Sequence, residues 1–156
     1  MFNAIRYGIF FTLAIFLWAV AETVFGLHDR YIRYHEYLSY FFAVPAVAIL
    51  YWGIRAGEHV PRPRMRFRRA FGKGLAIMAV VAVLCPLVWY VFCTLVNPMF
   101  LDNMTHYAIK IKGMARLSAM HRYELPNYLF MATFSTVLIG SVISLVIAVI
   151  MAGRRH

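Results

Sequence analysis

The sequence predicts an all-α, polytopic membrane protein: a four-transmembrane-helix bundle with an amphipathic helical segment between helices 3 and 4. Two observations carry the fold class and a third orients it. Four long apolar runs, Tyr7–Phe25, Ser39–Ile54, Ala70–Val96 and Tyr128–Ala152, lie within only 156 residues. Hydrophobic residues make up 63% of the chain and mean hydropathy is +0.69, which leaves little polar sequence for a water-facing shell. A hydrocarbon core of about 30 Å needs roughly 20 apolar helical residues, and each run supplies them with its flanks. Backbone groups in lipid must pair internally, so helices are expected rather than open strands. The whole chain, 1–156, reads as one membrane domain with helices about 5–26, 37–56, 69–97 and 127–152, and an amphipathic segment over 99–125.

Charge placement supplies the orientation. The formal net charge is +10. Arg55, Arg62, Arg64, Arg66, Arg68, Arg69 and Lys73 flank the second connection, Arg154 and Arg155 lie at the C-terminus, and Arg6 lies near the N-terminus. The first and third connections hold Arg30, Arg33, Lys110, Lys112, Arg116 and Arg122, spread more thinly. The positive-inside rule then puts both termini in the cytoplasm after four crossings. The tract Pro61–Arg69 reads as a lipid-headgroup-facing linker, because each cation near an anionic leaflet gains about 1 kcal/mol. Nucleic-acid binding is rejected, since stacking aromatics beside the cations are needed and Phe67 alone is available.

Helix 1 carries Ala4, Gly8 and Thr12 at four-residue steps, which favours close approach of a neighbour. Ala19-Val-Ala21 mimics a signal-peptide cleavage site, but the charged start is weak and an uncleaved helix ending near Gly26 is expected. Tyr31, Tyr34, Tyr37 and Tyr40 follow every third residue and suit a membrane–water boundary. Asp29 is a candidate cap for helix 2, and Pro45 a candidate kink. Helix 3 begins with Gly72 and Gly74, contains Pro86, and ends at Asn97-Pro98, because the residue before proline leaves the helical region.

In the third connection Phe100, Met104, Tyr107, Ile111 and Met114 form one helical stripe, with Gly113 a candidate break. This segment is expected to lie on the outer membrane face or cap the bundle. Helix 4 sets Thr136, Gly140, Ser144, Ala148 and Ala152 on a single small-residue face, suited to backbone-to-backbone contact. Packing within the bundle is favoured over contact between subunits.

Polar groups gather in the first connection. Glu22, Asp29 and Glu36 recur at intervals of seven, as do His28 and His35. An acidic residue at mid-bilayer costs roughly 2.5–3.5 kcal/mol, less near the interface, so Glu22 should pair with His28, Arg30 or Arg33. Three readings compete. The first is an interfacial network fixing the turn, with Asp29 and Arg33 as an i, i+4 pair. The second is an outward-facing site for a proton, ion or polar ligand, formed by Glu22, His28, Asp29 and His35. The third is a divalent metal site. A straight helix would hold His28 and His35 about 10 Å apart, too far to share an ion, so only a break between Gly26 and Ile32 would rescue it.

Other chemistry is thinly represented. Cys85 and Cys93, about 12 Å apart on a helix, are too distant for a disulfide and read as packing residues. No nucleophile–base arrangement or phosphate-cradling glycine loop appears, so no catalytic residue, metal ligand set or cofactor is assigned.

Glu22-x5-His28-Asp29-x5-His35, Phe67-x2-Ala70-Phe71-x2-Gly74, Asn97-Pro98-x-Phe100 and a Tyr128-led last helix ending Gly153-Arg154-Arg155 together resemble a bacterial family. It is the four-helix inner-membrane family filed as domain of unknown function 4199. The resemblance spans nearly the whole chain. It implies a bacterial inner-membrane location and a four-helix fold, brings no activity or cofactor, and equates Glu22, His28, Asp29 and His35 with the family's polar signature. Met99 stands where family members often carry an acid, so no carboxylate role is expected there.

The leading expectation is therefore a non-enzymatic binding or accessory component of the membrane. Its partners would be membrane lipids, with a homo-oligomer or larger membrane complex in view. A small metal-assisted enzyme acting on envelope or lipid-linked substrates, or a subunit of an oligomeric transporter, are the alternatives.

Overall fold

Apolar helices joined by short polar turns organise the computed structural model, which describes residues 2–56 and 67–153, the Glu36 side chain excepted. Arg62, Arg64, Arg66, Arg154 and Arg155, on which much of the charge asymmetry rests, lie outside the described residues. The described residues contain no strand.

Helix α1 covers Phe2–Val24, α2 Ile32–Ser39, α3 Ala43–Arg55 and α4 Phe67–Val91. Helix α5 covers Phe100–Lys110, α6 Arg116–Arg122 and α7 Leu125–Gly153. A 3-10 turn, Tyr40–Phe42, joins α2 to α3 without a loop, so Ile32–Arg55 forms one span. A π-helical turn, Phe92–Val96, extends α4. Four spans of 23, 24, 30 and 29 residues are long and apolar enough to cross a bilayer. At 1.5 Å per residue the shortest reaches about 34 Å, which exceeds the hydrocarbon thickness.

The second span starts earlier than its apolar run indicates. Ile32–Ser39 is polar enough that its sequence reads as a connection, yet it is helical and runs through the 3-10 turn into α3. Pro45 sits in the first turn of α3, where a missing N–H is tolerated, and the 3-10 turn precedes it.

Helix α4 is the hub, touching α1, α3 and α7. One core gathers Phe11, Leu50, Ile54, Ile77, Met78 and Ile147. A second joins Ala19, Phe92, Cys93, Phe100 and Met104. Leu17, Val83, Leu87, Ile139 and Val142 face outward, as lipid rather than water as solvent requires.

On α7, Gly140, Ser144 and Ala148 are buried, while Thr136 is half-buried and donates its hydroxyl to Ala132 O. A Cβ on Gly140 would meet the Met78 sulfur, and one on Gly74 would meet Ser144. The face therefore packs on α4, where the absent side chain at Gly74 makes room for the Ser144 hydroxymethyl group. Lys73 donates to the carbonyls of Ile54 at 3.3 Å and Ala56 at 3.1 Å, closing the C-terminus of α3.

The apolar stripe of the third connection is shorter than its spacing predicts. Phe100 and Met104 are buried, but Ile111 is exposed. The helix ends at Lys110, and Gly113 with φ of 66° turns the chain before α6. Helix α5 thereby caps one end of the bundle, inserting Phe100 between Phe92 and Tyr128.

Candidate functional site

The cluster begins with the way α1 stops. Gly26 N–H donates to Thr23 O and Leu27 N–H to Glu22 O, both at 2.9 Å. These are the two bonds of a Schellman cap, with Gly26 at the left-handed position, φ 72°. A side chain there would strain the backbone, so glycine lets the chain reverse. Leu27 and His28 fold back over the last turn of α1, and Tyr31 N–H closes the loop onto Gly26 O at 2.9 Å.

The reversal brings His28 onto Glu22. His28 Nε2 lies 3.3 Å from Glu22 Oε2, and His35 Nδ1, one turn into α2, lies 3.5 Å from the same oxygen. The two imidazole centroids are 4.9 Å apart. The straight-helix separation that argued against a shared ion therefore does not apply, because Gly26–Tyr31 is a turn and α2 starts only at Ile32.

The other carboxylate oxygen is held by two donors. Trp18 Nε1 donates to Glu22 Oε1 at 2.8 Å, and Ser39 Oγ donates to it at 2.6 Å. Trp18 is one turn before Glu22 on α1, and Ser39 is one turn after His35 on α2. Glu22 thus ties the first two spans together while Oε2 faces the imidazoles.

His28 is oriented from behind. Its Nδ1 is 2.9 Å from Thr23 Oγ1, whose hydroxyl donates to Ala19 O at 3.0 Å. With its single proton directed to Ala19 O, that hydroxyl is an acceptor toward His28, which assigns the donor role to Nδ1–H. Neutral His28 then presents a bare lone pair at Nε2. This buried nitrogen has no well-formed hydrogen bond among the described residues and faces Oε2 at 3.3 Å, a contact that becomes an ion pair when the ring is protonated. Phe100 at 4.7 Å and Phe92 at 5.6 Å stand edge-on to the ring and close the apolar side.

Asp29 takes no part. Its Oδ1 accepts from Asn103 Nδ2, which also donates to His28 O at 3.1 Å, so α5 pins the turn. The i, i+4 partner expected for Asp29 was Arg33; the observed one is Asn103, because the turn faces α5. Sequence spacing missed Trp18, Thr23, Ser39 and Asn103. Trp18 and Ser39 were detectable as i, i+4 neighbours of Glu22 and His35. Asn103 was not, being 75 residues from His28.

Glu22 is 6% exposed and His28 1%, so the carboxylate is withdrawn from solvent and balanced by four polar neighbours. The chemistry on offer is one carboxylate oxygen and two imidazole nitrogens converging at the end of a helical bundle. Four spans and this buried polar node define a multi-pass, all-α membrane protein.

The chain belongs to the family described as Protein of unknown function (DUF4199), whose profile matches residues 6–152. Comparison with curated proteins and with solved structures finds no match.

Proposed function

We propose that the protein is a non-enzymatic binding component of the bacterial inner membrane. It takes a small cation, a metal ion or an ammonium headgroup, at the outer boundary through Glu22, His28 and His35. The observation that supports this is the meeting of Glu22 Oε2 with the lone pair of His28 Nε2 at 3.3 Å in a buried setting. Two acceptors facing one another attract a positive charge, and burial strengthens that attraction. Glu22 and His28 are 6% and 1% exposed, so a small cation reaches them with less displacement of covering side chains than a bulky polar ligand needs.

A thermal-shift screen of purified protein in detergent tests this. Alkali, alkaline-earth and transition-metal chlorides and ethanolamine are the probes. A cation at about 100 times its Kd stabilises by about 2.7 kcal/mol. At least one should raise the wild-type melting temperature and leave Glu22→Gln unmoved. If every probe shifts both proteins equally, the cluster is only a structural network.

The orientation rests on the positive-inside rule applied to ten cations, Arg6, Arg55, Arg62, Arg64, Arg66, Arg68, Arg69, Lys73, Arg154 and Arg155, against six in the first and third connections. Reporter fusions at both termini should be active on the cytoplasmic side, and an insertion after Lys112 on the opposite side.

One observation favours the alternative of a metal-assisted enzyme on lipid-linked substrates. An apolar cleft of about 660 Å³, bounded by Trp18, Phe25, Leu27, Tyr34 and Phe41, reaches Glu22. Turnover of a lipid-linked substrate abolished by Glu22→Gln would replace the binding reading.

A further inference from the structure

We infer that Glu22, His28 and His35 form a binding site for a divalent transition-metal ion. The inference rests on the cation-binding reading above and narrows it to one ligand class.

Donor chemistry comes first. Two imidazoles and one carboxylate suit zinc and its first-row neighbours, whereas magnesium and calcium favour all-oxygen shells. One ligand atom from each of the three residues lies within 4.8 Å of the other two. Donors held tetrahedrally at about 2.0–2.1 Å from an ion stand about 3.3–3.4 Å apart. The two separations to Glu22 Oε2, 3.3 and 3.5 Å, match that edge. The histidine–histidine separation lies within 4.8 Å, and His35 Nδ1 also stands 3.4 Å from Ser39 Oγ, a contact that coordination through that nitrogen would replace.

The surroundings fix the donors as metal ligands need to be fixed. Ligating histidines commonly donate their second nitrogen to an oxygen, which sets the tautomer and ring orientation. His28 Nδ1–H does so to Thr23 Oγ1, leaving Nε2 as the electron-pair donor. Trp18 and Ser39 hold Glu22 Oε1 and leave Oε2 for the ion. The independent sign is Nε2 itself, in a side chain 1% exposed and without a hydrogen bond among the described residues, directed into the cluster.

Access exists on the polar side. A cleft of about 400 Å³, lined by His35, Ser39, Tyr123 and Tyr128, reaches His35, the most exposed of the three ligands, and is where an ion and a fourth ligand from water would enter. Arg122 also lines it but is exposed, so solvent screens its charge.

The test uses tag-free, full-length protein in detergent, stripped with chelator, then titrated with Zn²⁺, Co²⁺ and Mg²⁺ by calorimetry and visible absorption. The expected result is one Zn²⁺ or Co²⁺ per chain, a Co²⁺ spectrum of low-coordinate nitrogen–oxygen type, and no Mg²⁺ binding. Glu22→Gln, His28→Ala and His35→Ala should each abolish stoichiometric binding, while His106→Ala and His121→Ala retain it. Thr23→Ala, which loses only the orienting oxygen, should weaken binding about 10–100-fold. If Glu22→Gln fails to fold, the more exposed His35→Ala decides. Absence of Zn²⁺ binding, or binding untouched by His35→Ala, overturns the inference. Where Zn²⁺ does not bind but another cation stabilises wild type and not Glu22→Gln, the metal assignment fails and the cation reading stands. If no cation does so, both fail.

Discussion

Ser39 Oγ donates to Glu22 Oε1 at 2.6 Å, joining the end of α2 to the end of α1 across the chain reversal. Trp18 completes the hold from within α1. Hydrogen bonds to a charged acceptor contribute about 1.5–3 kcal/mol. Ser39→Ala and Trp18→Phe should each lower unfolding free energy by about that amount in a denaturant titration in mixed micelles. Because both act on one oxygen, the double variant should depart from the sum of the single losses. Simple additivity would show that the oxygen is not shared in solution.

Gly26 and Gly113 both have positive φ, 72° and 66°. An alanine at either position carries about 1–2 kcal/mol of strain. Only Gly26 sets the reversal that presents His28, so Gly26→Ala should lower both the melting temperature and Zn²⁺ affinity. Gly113→Ala should lower the melting temperature alone. Equal effects on Zn²⁺ titration would separate the cap from the cluster.

Gly72 and Gly74 lie two residues apart on α4 and have opposite surroundings. A Cβ at Gly72 meets nothing within 4 Å, whereas one at Gly74 collides with Ser144 on α7. Gly72→Ala should stabilise by about 0.5–1 kcal/mol through helix propensity. Gly74→Ala should destabilise by about 1–3 kcal/mol through overpacking. Thermal denaturation distinguishes them by the sign of the shift.

Asn103 is the tether between α5 and the turn. Asn103→Ala removes the bonds to His28 O and Asp29 Oδ1. Faster hydrogen exchange is expected at the Asp29 and Tyr31 amides, both bonded to Gly26 O, with little change in the middle of α4. Unchanged exchange in the turn would mean the cap alone holds it.

The fold class was legible because lipid selects for it locally: a helix that crosses a bilayer must be apolar along its own length. Each run therefore announces itself without reference to the others. Boundaries were less legible. Ile32–Ser39 is a polar stretch that becomes helical because His35 and Ser39 are satisfied by Glu22, a partner outside its own window. The length of the stripe after Phe100 was overestimated because spacing alone does not show where Gly113 turns the chain.

Three of the four polar residues singled out in the first connection, Glu22, His28 and His35, converge, and Asp29 does not. Residue type and rough position follow from sequence, since buried titratable groups in an apolar chain are few. Convergence does not, because it depends on the backbone reversing at Gly26 and on Asn103 arriving from α5.

The order of amino acids alone determined that this chain is four apolar helices with a polar knot between the first two, since hydropathy acts residue by residue. Only the tertiary structure decided which atoms of that knot face one another. Distances of 3.3 and 3.5 Å depend on a left-handed turn and on packing between distant segments, and neither is written in any single stretch of the sequence.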